Sequence, residues 1–141
     1  MTEEVATMKY VLRLAFVAFL MSFAGLNAQT MALPDIANTR IHSPALVSSG
    51  QPDRTQFGAI ANSGVGVVIN LAPRGSPDSI GDEGELARAT GMDYVFIPVD
   101  WGRPSQEDLD QFLATMDECR AKKVLGQCTG LCVRVSVPRA W

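Results

Sequence analysis

The sequence predicts an α/β fold in three layers, a mostly parallel sheet flanked by helices. Two patterns carry this expectation. Val65 to Leu71, Tyr94 to Val99 and Lys123 to Gly126 are short, almost continuous apolar and β-branched runs, as expected of strands buried on both faces, the usual state of parallel strands. Between them lie stretches of helical periodicity with helix-terminal residues at their ends, so strand and helix alternate along the chain.

Taken in order, residues 29–40 have no clear period and read as a linker. Ile41 to Ser49 alternates like a strand, and Pro44 within it predicts a sheet edge, because proline cannot donate to a ladder. After a turn at Ser49-Gly50-Gln51-Pro52, Asp53 is placed as the N-cap of a helix reaching Ser63. Phe57, Ile60 and Ala61 share one face of it, and Gly64 is its stop. The Val65–Leu71 strand gives way to a loop rich in proline, glycine and serine over residues 72–81. Asp82 to Thr90 is a short helix with acids in its first turn, where the helix dipole favours them, and Gly91 ends it. The Tyr94–Val99 strand leads into the loop Asp100-Trp101-Gly102-Arg103-Pro104. Ser105 and Asp108 form a capping box with Asp in the usual place of Glu. The helix they open carries Leu109, Phe112, Leu113, Met116 and Cys119 as one apolar stripe, with a basic last turn at Arg120, Lys122 and Lys123.

The length of 141 residues suits one globular domain, expected over residues 41–141. Residues 1–28 have the order of a secretory signal peptide: basic Lys9 and Arg13, an uncharged apolar run from Leu14 to Leu26, then the small residue Ala28. Export, to the periplasm in a bacterium, is the expectation; an uncleaved membrane anchor is the alternative. The net charge of −3, without a basic stripe, argues against a nucleic-acid partner. Cys119, Cys128 and Cys132 are the three cysteines, an odd number that leaves at least one thiol outside any internal disulfide. His42 is the only histidine and is far in sequence from them, so neither a metal site nor a cofactor is expected.

The chemistry concentrates in Cys128-Thr129-Gly130-Leu131-Cys132-Val133-Arg134. A cysteine opening a loop after an apolar strand can point its sulfur into a cup of backbone N–H groups, which favour a thiolate and bind an anion. An arginine closing that cup matches two phosphate oxygens bidentately. The competing reading of these seven residues is a strand end with two buried cysteines and a surface arginine. In open α/β sheets ligands gather at the carboxyl ends of strands; Cys128 and Asp100 both fall at such ends.

The Cys-x5-Arg spacing, taken with Ser49-Gly50-Gln51-Pro52, Val67-Val68-Ile69-Asn70-Leu71 and Ile97-Pro98-Val99-Asp100, resembles the dual-specificity and tyrosine phosphatases. Within them it resembles the small bacterial phosphatase-like domain related to beta-lactamase hydrolase-like proteins. The resemblance implies a phosphoric monoester hydrolase working through a cysteinyl-phosphate. Cys128 would be the nucleophile and Arg134 the clamp on the phosphoryl oxygens. The backbone of Thr129, Gly130, Leu131, Cys132 and Val133 would form the phosphate-binding loop, Asp100 would be the general acid, and Ser136 lies near a hydroxyl position that helps the thiolate leave. The partner implied is a phosphorylated protein or small molecule. Gln127 stands where the family usually has histidine. Beyond Arg134 the residues Val135-Ser136-Val137-Pro138 favour strand over helix, so a phosphatase chain truncated or frameshifted after the loop, without its C-terminal helices, is expected. A Cys128–Cys132 disulfide is open as a possibility. Two other readings stand beside the enzyme: a phosphate-binding module without turnover, and, less favoured by the Cys-x3-Cys spacing, a thiol-redox protein.

Overall fold

The structure, a computed structural model, describes residues 31–129. Five strands, β1 (Arg40–Ser43), β2 (Leu46–Ser49), β3 (Val65–Asn70), β4 (Asp93–Phe96) and β5 (Lys123–Gln127), form one sheet in the order β1-β2-β5-β3-β4. The helices are α1 (Phe57–Asn62), α2 (Glu83–Ala89) and α3 (Gln106–Glu118). β2, β5, β3 and β4 run parallel, and only β1 is antiparallel to its neighbour. This is the mixed, mostly parallel α/β arrangement expected.

Register explains the core. Leu46, Val124 and Val67 align across the three central strands, and so do Val47, Leu125 and Val68 one residue on. Successive side chains point to opposite faces, so the two rows feed two separate apolar layers. The Val47–Leu125–Val68 row meets Phe57 and Ile60 of α1, Ala87 of α2, and Met92. The other row joins Ile69, Leu71, Ile97 and Val99 under Met116 of α3. With both faces covered, these strands are apolar at almost every position, the pattern that marked them in the sequence.

Three local expectations are corrected. Residues 41–49 are not one edge strand: Pro44 and Ala45 reverse the chain, so β1 is the edge while β2 is fully buried inside the sheet. Proline satisfies the edge rule here by occupying the hairpin turn. Asp53 does not cap α1. Its carboxylate accepts from the Thr55 N–H and hydroxyl, making a turn of its own, and the helix begins only after Gln56. The basic residues expected in the last turn of α3 lie past its end at Glu118. Lys122 pairs instead with Asp93 on β4, and Lys123 donates to the Ser63 carbonyl at 2.9 Å.

The capping box on α3 is present, with the Asp108 N–H donating to Ser105 Oγ at 3.1 Å and the Ser105 N–H to the Asp108 carboxylate at 3.0 Å. Gly64 and Gly91 end α1 and α2 with φ of 86° and 85°, left-handed values that favour glycine. In the stretch read as a linker, Ile36 is buried in the core and Ala37 accepts the Gly50 N–H at 2.7 Å, so the described part of it lies against the domain. No helix among the described residues is long and apolar enough to cross a membrane.

Candidate active site

The carboxyl ends of β2, β5, β3 and β4 lie side by side, and the loops leaving them form one edge of the domain. Cys128 is the first residue after β5 and is buried. Its backbone is held from both sides: the Cys128 N–H donates to the Ser49 carbonyl at 3.3 Å, and the Leu71 N–H donates to the Gln127 carbonyl at 2.8 Å. Its Sγ lies 3.6 Å from the Thr129 carbonyl oxygen. Thr129 is tied to the loop after β3, with the Ser76 and Thr129 hydroxyls 2.5 Å apart. The rest of the expected phosphate loop, Gly130, Leu131, Cys132, Val133 and Arg134, lies outside the described residues, as do Ser136 and residues 1–28.

Asp100 lies on the loop that follows β4. Its Oδ1 accepts the Gly102 N–H at 2.9 Å, a tight turn at the loop's start. The next residue, Trp101, donates its indole N–H to the Leu71 carbonyl at 3.1 Å. That bond anchors the Asp100 loop to the end of β3, the strand beside β5. The fold therefore brings Asp100 and Cys128 to the same edge of the sheet, with one strand between theirs, and Asp100 itself is exposed.

Behind this edge is a polar cluster centred on Glu83, the first residue of α2. Glu83 is only 3% exposed, and its carboxylate accepts from four donors. Gln51 Nε2 donates to Oε1 at 2.7 Å, and Gln127 Nε2 donates to the same oxygen. Asn70 Nδ2 donates to Oε2 at 2.5 Å and the Tyr94 hydroxyl at 2.8 Å. The donors come from the loop after β2, the last residues of β3 and β5, and the middle of β4. A buried carboxylate costs several kcal/mol unless its oxygens are satisfied, and these four donors satisfy them. Burial, and then the hydrogen bond to Glu83 and its charge, push the pKa of the Tyr94 hydroxyl well above the ordinary tyrosine value.

A cleft of about 480 Å³ opens beside the cluster, between α2 and the loop after β3. Arg74 and Arg88 line it, their guanidinium groups 5.5 Å from the Phe96 ring centre and 5.9 Å from that of Tyr94. Cys119 takes no part in this edge. It is partly buried among the apolar side chains under α3, and burial pushes its thiol pKa up. Among the described residues no group of three or more His, Cys, Asp or Glu side chains is placed to hold a metal ion.

Residues 38–137 match the profile of the family described as "Beta-lactamase hydrolase-like protein, phosphatase-like domain". The chain belongs to this family. No curated protein matches the chain. Among solved structures, the phosphatase-like domain is similar to the DUF442 protein of Shewanella putrefaciens CN-32. One crystal structure of that protein has 46% identity and a TM-score of 0.67, over 70% of this chain and 65% of that one. A second has 47% identity and a TM-score of 0.65, over 67% and 60%. The chain thus spans a little under two thirds of that protein's length. TpbA of P. aeruginosa, solved in complex with phosphotyrosine, has 16% identity and a TM-score of 0.55 over 75% of this chain and 62% of that one. Kinase associated phosphatase, solved with its catalytic-site cysteine substituted by serine, has 15% identity and a TM-score of 0.55 over 60% and 56%. At these identities the last two share the fold.

Within the phosphatase-like domain, sequence reasoning placed Cys128 and Asp100 but missed the Glu83 cluster. Glu83 reads locally as one of the acids that suit a helix start. The usable signal was elsewhere: Asn70 and Gln127 are amides closing two otherwise apolar buried strands, and a buried amide requires partners.

Proposed function

We propose that this domain hydrolyses phosphate monoesters through a cysteinyl-phosphate. The observation that carries the reading is the position of Cys128, directly after the parallel strand β5 and clamped between the ends of β2 and β3, within a family match that runs through residue 137. In the first step the Cys128 thiolate attacks phosphorus, an S–P bond forms and the P–O ester bond breaks. The Asp100 carboxylic acid gives its proton to the leaving oxygen. In the second step water attacks phosphorus, its proton passes to the Asp100 carboxylate, the S–P bond breaks, and thiolate and inorganic phosphate are released. Asp100 Oδ1 is engaged by Gly102, which leaves Oδ2 to carry the proton. Arg134 and the backbone N–H groups of residues 129–133 hold the phosphoryl oxygens in this reading, where preorganised donors supply the largest share of the rate.

Phosphotyrosine is the first substrate to try, on the strength of the complex formed by the TpbA fold relative. The basic-then-apolar order of residues 8–28 supports action after export. The test is hydrolysis of p-nitrophenyl phosphate and a phosphotyrosine peptide by the reduced full chain, beside Cys128→Ser, Arg134→Lys and Asp100→Asn. Turnover lost in Cys128→Ser and reduced by at least tenfold in the other two supports the proposal. Phosphate binding without turnover, or turnover that survives Cys128→Ser, refutes it.

A further inference from the structure

We propose that Glu83 is a positioning residue that sets the Cys128 nucleophile through Gln127, an assignment that rests on the phosphatase reading above. The path is short. Glu83 Oε1 accepts from the Gln127 side chain, Gln127 is bonded directly to Cys128, and the Gln127 carbonyl accepts the Leu71 N–H at 2.8 Å. Gln127 is thus gripped at its side chain and its backbone at the point where the strand becomes the loop. Neither Glu83 nor Gln127 is exposed beyond 3%, so water does not compete for the bond.

The chemistry of the acceptor fixes the orientation. A carboxylate accepts only, so Gln127 must turn its NH2 toward Glu83 and its oxygen away. The same carboxylate collects Gln51, Asn70 and Tyr94, which lock it so that it cannot follow Gln127 if the strand end moves. Stability alone does not require this arrangement, because apolar side chains of similar volume usually fill such a site at least as favourably as a buried charge. A rigid, directional anchor one residue before a nucleophile has a use that an apolar plug lacks: misplacement of a reacting group by about 1 Å can cost on the order of a hundredfold in rate.

Positioning and charge predict opposite effects on the thiol. Acting only as a nearby anion, Glu83 would disfavour the thiolate, and its neutralisation would lower the Cys128 titration midpoint. Acting as an anchor, it would keep Cys128 against the backbone donors that the phosphatase reading assigns to its loop, and its loss would raise the midpoint. The experiment uses the reduced full chain and its Glu83→Gln, Gln127→Ala and double variants. Folding is followed by circular dichroism, kcat and KM with p-nitrophenyl phosphate. The pH dependence of iodoacetamide alkylation is read at Cys128 by peptide mass spectrometry, which separates it from Cys119 and Cys132.

For Glu83→Gln the expected result is a fall in kcat of about 10–100-fold, KM within about twofold, and an alkylation midpoint raised by about one pH unit. Added to Gln127→Ala, the same substitution should change kcat less than twofold, because the path is already cut. An unchanged or lowered midpoint, or an undiminished effect of Glu83→Gln in the Gln127→Ala background, overturns the assignment. Should Glu83→Gln fail to fold, Gln127→Ala decides alone: it must show the same loss and the same raised midpoint, and wild-type behaviour overturns the proposal. A wild-type chain without turnover refutes the phosphatase reading, while the alkylation profiles still decide for or against the anchor.

Discussion

Replacing Tyr94 by phenylalanine removes one hydroxyl from the Glu83 cluster and leaves the ring in place. Two contacts go with it, the 2.8 Å bond to Glu83 Oε2 and the 3.0 Å bond from Asn70 Nδ2. Asn70 still reaches the same carboxylate oxygen at 2.5 Å, so that oxygen keeps one donor. A hydrogen bond to a charged group contributes about 1.5–3 kcal/mol. Tyr94 is only half-buried, and water offsets part of the loss, which puts the expected cost near 2 kcal/mol. That is roughly a 30-fold change in the unfolding equilibrium. It is also on the order of a 1 M fall in the urea midpoint for a domain of this size. The same side chain supplies a pH signature. The folded state holds the phenol proton more tightly than the unfolded chain, whose tyrosines titrate near pH 10. Stability from this group is therefore complete below about pH 10 and is lost as pH rises beyond it, because the unfolded state sheds the proton first. Urea melts at pH 7.5 and at intervals from 9 to 11 should show wild type losing stability more steeply than Tyr94→Phe. A difference under about 0.5 kcal/mol at pH 7.5, or parallel pH curves, would refute the charge-linked role assigned to the hydroxyl.

Two further substitutions test the packing around the cluster. Leu125, fully buried between Val47 and Val68, should lose about 2–5 kcal/mol as Leu125→Ala, read as a lower urea midpoint with an unchanged slope; a loss under about 1 kcal/mol would show that the central row is not closed. Gly84→Ala improves helix propensity by up to about 1 kcal/mol, but its Cβ would lie 3.0 Å from both Tyr94 Cδ1 and Arg88 Nη1. The arginine tip can move aside, whereas the tyrosine ring is held at its hydroxyl. Overpacking of about 1–3 kcal/mol should therefore prevail, and a higher thermal midpoint for Gly84→Ala would show that the ring is free to shift.

The fold was legible where local pattern and tertiary environment agree. Val65 to Ile69 has no polar side chain because α1 and α2 cover one face and α3 the other. The hairpin at residues 40–49 was not legible. Its turn is only Pro44 and Ala45, and alternation over nine residues looks the same whether the chain runs on or doubles back. The difference is decided by β5, which takes β2 as a parallel neighbour from almost eighty residues away. Asp53 misled for a related reason: an aspartate can satisfy its own turn as well as a helix end, and here one carboxylate oxygen accepts both the N–H and the hydroxyl of Thr55.

The candidate site was legible in Cys128 and Asp100, the residues proposed to react, and illegible in what surrounds them. Cys128 and Asp100 declare themselves by position, since each follows a strand in a fold that places ligands at strand ends. Glu83 does not, because what distinguishes it is the company of four donors brought from four places in the chain. The register nonetheless contains the answer. Asn70 lies two residues after Val68 and Gln127 two after Leu125, so each amide shares the face of the apolar row before it, and the two are register partners. That row is the floor beneath α1 and α2. Two amides at the end of such a floor, with the first residue of α2 above them, need an acceptor from the helix start. Of the residues there, the acid at position 83 meets that need, and the dipole preference that explained it locally and the buried network that explains it globally lead to the same side chain.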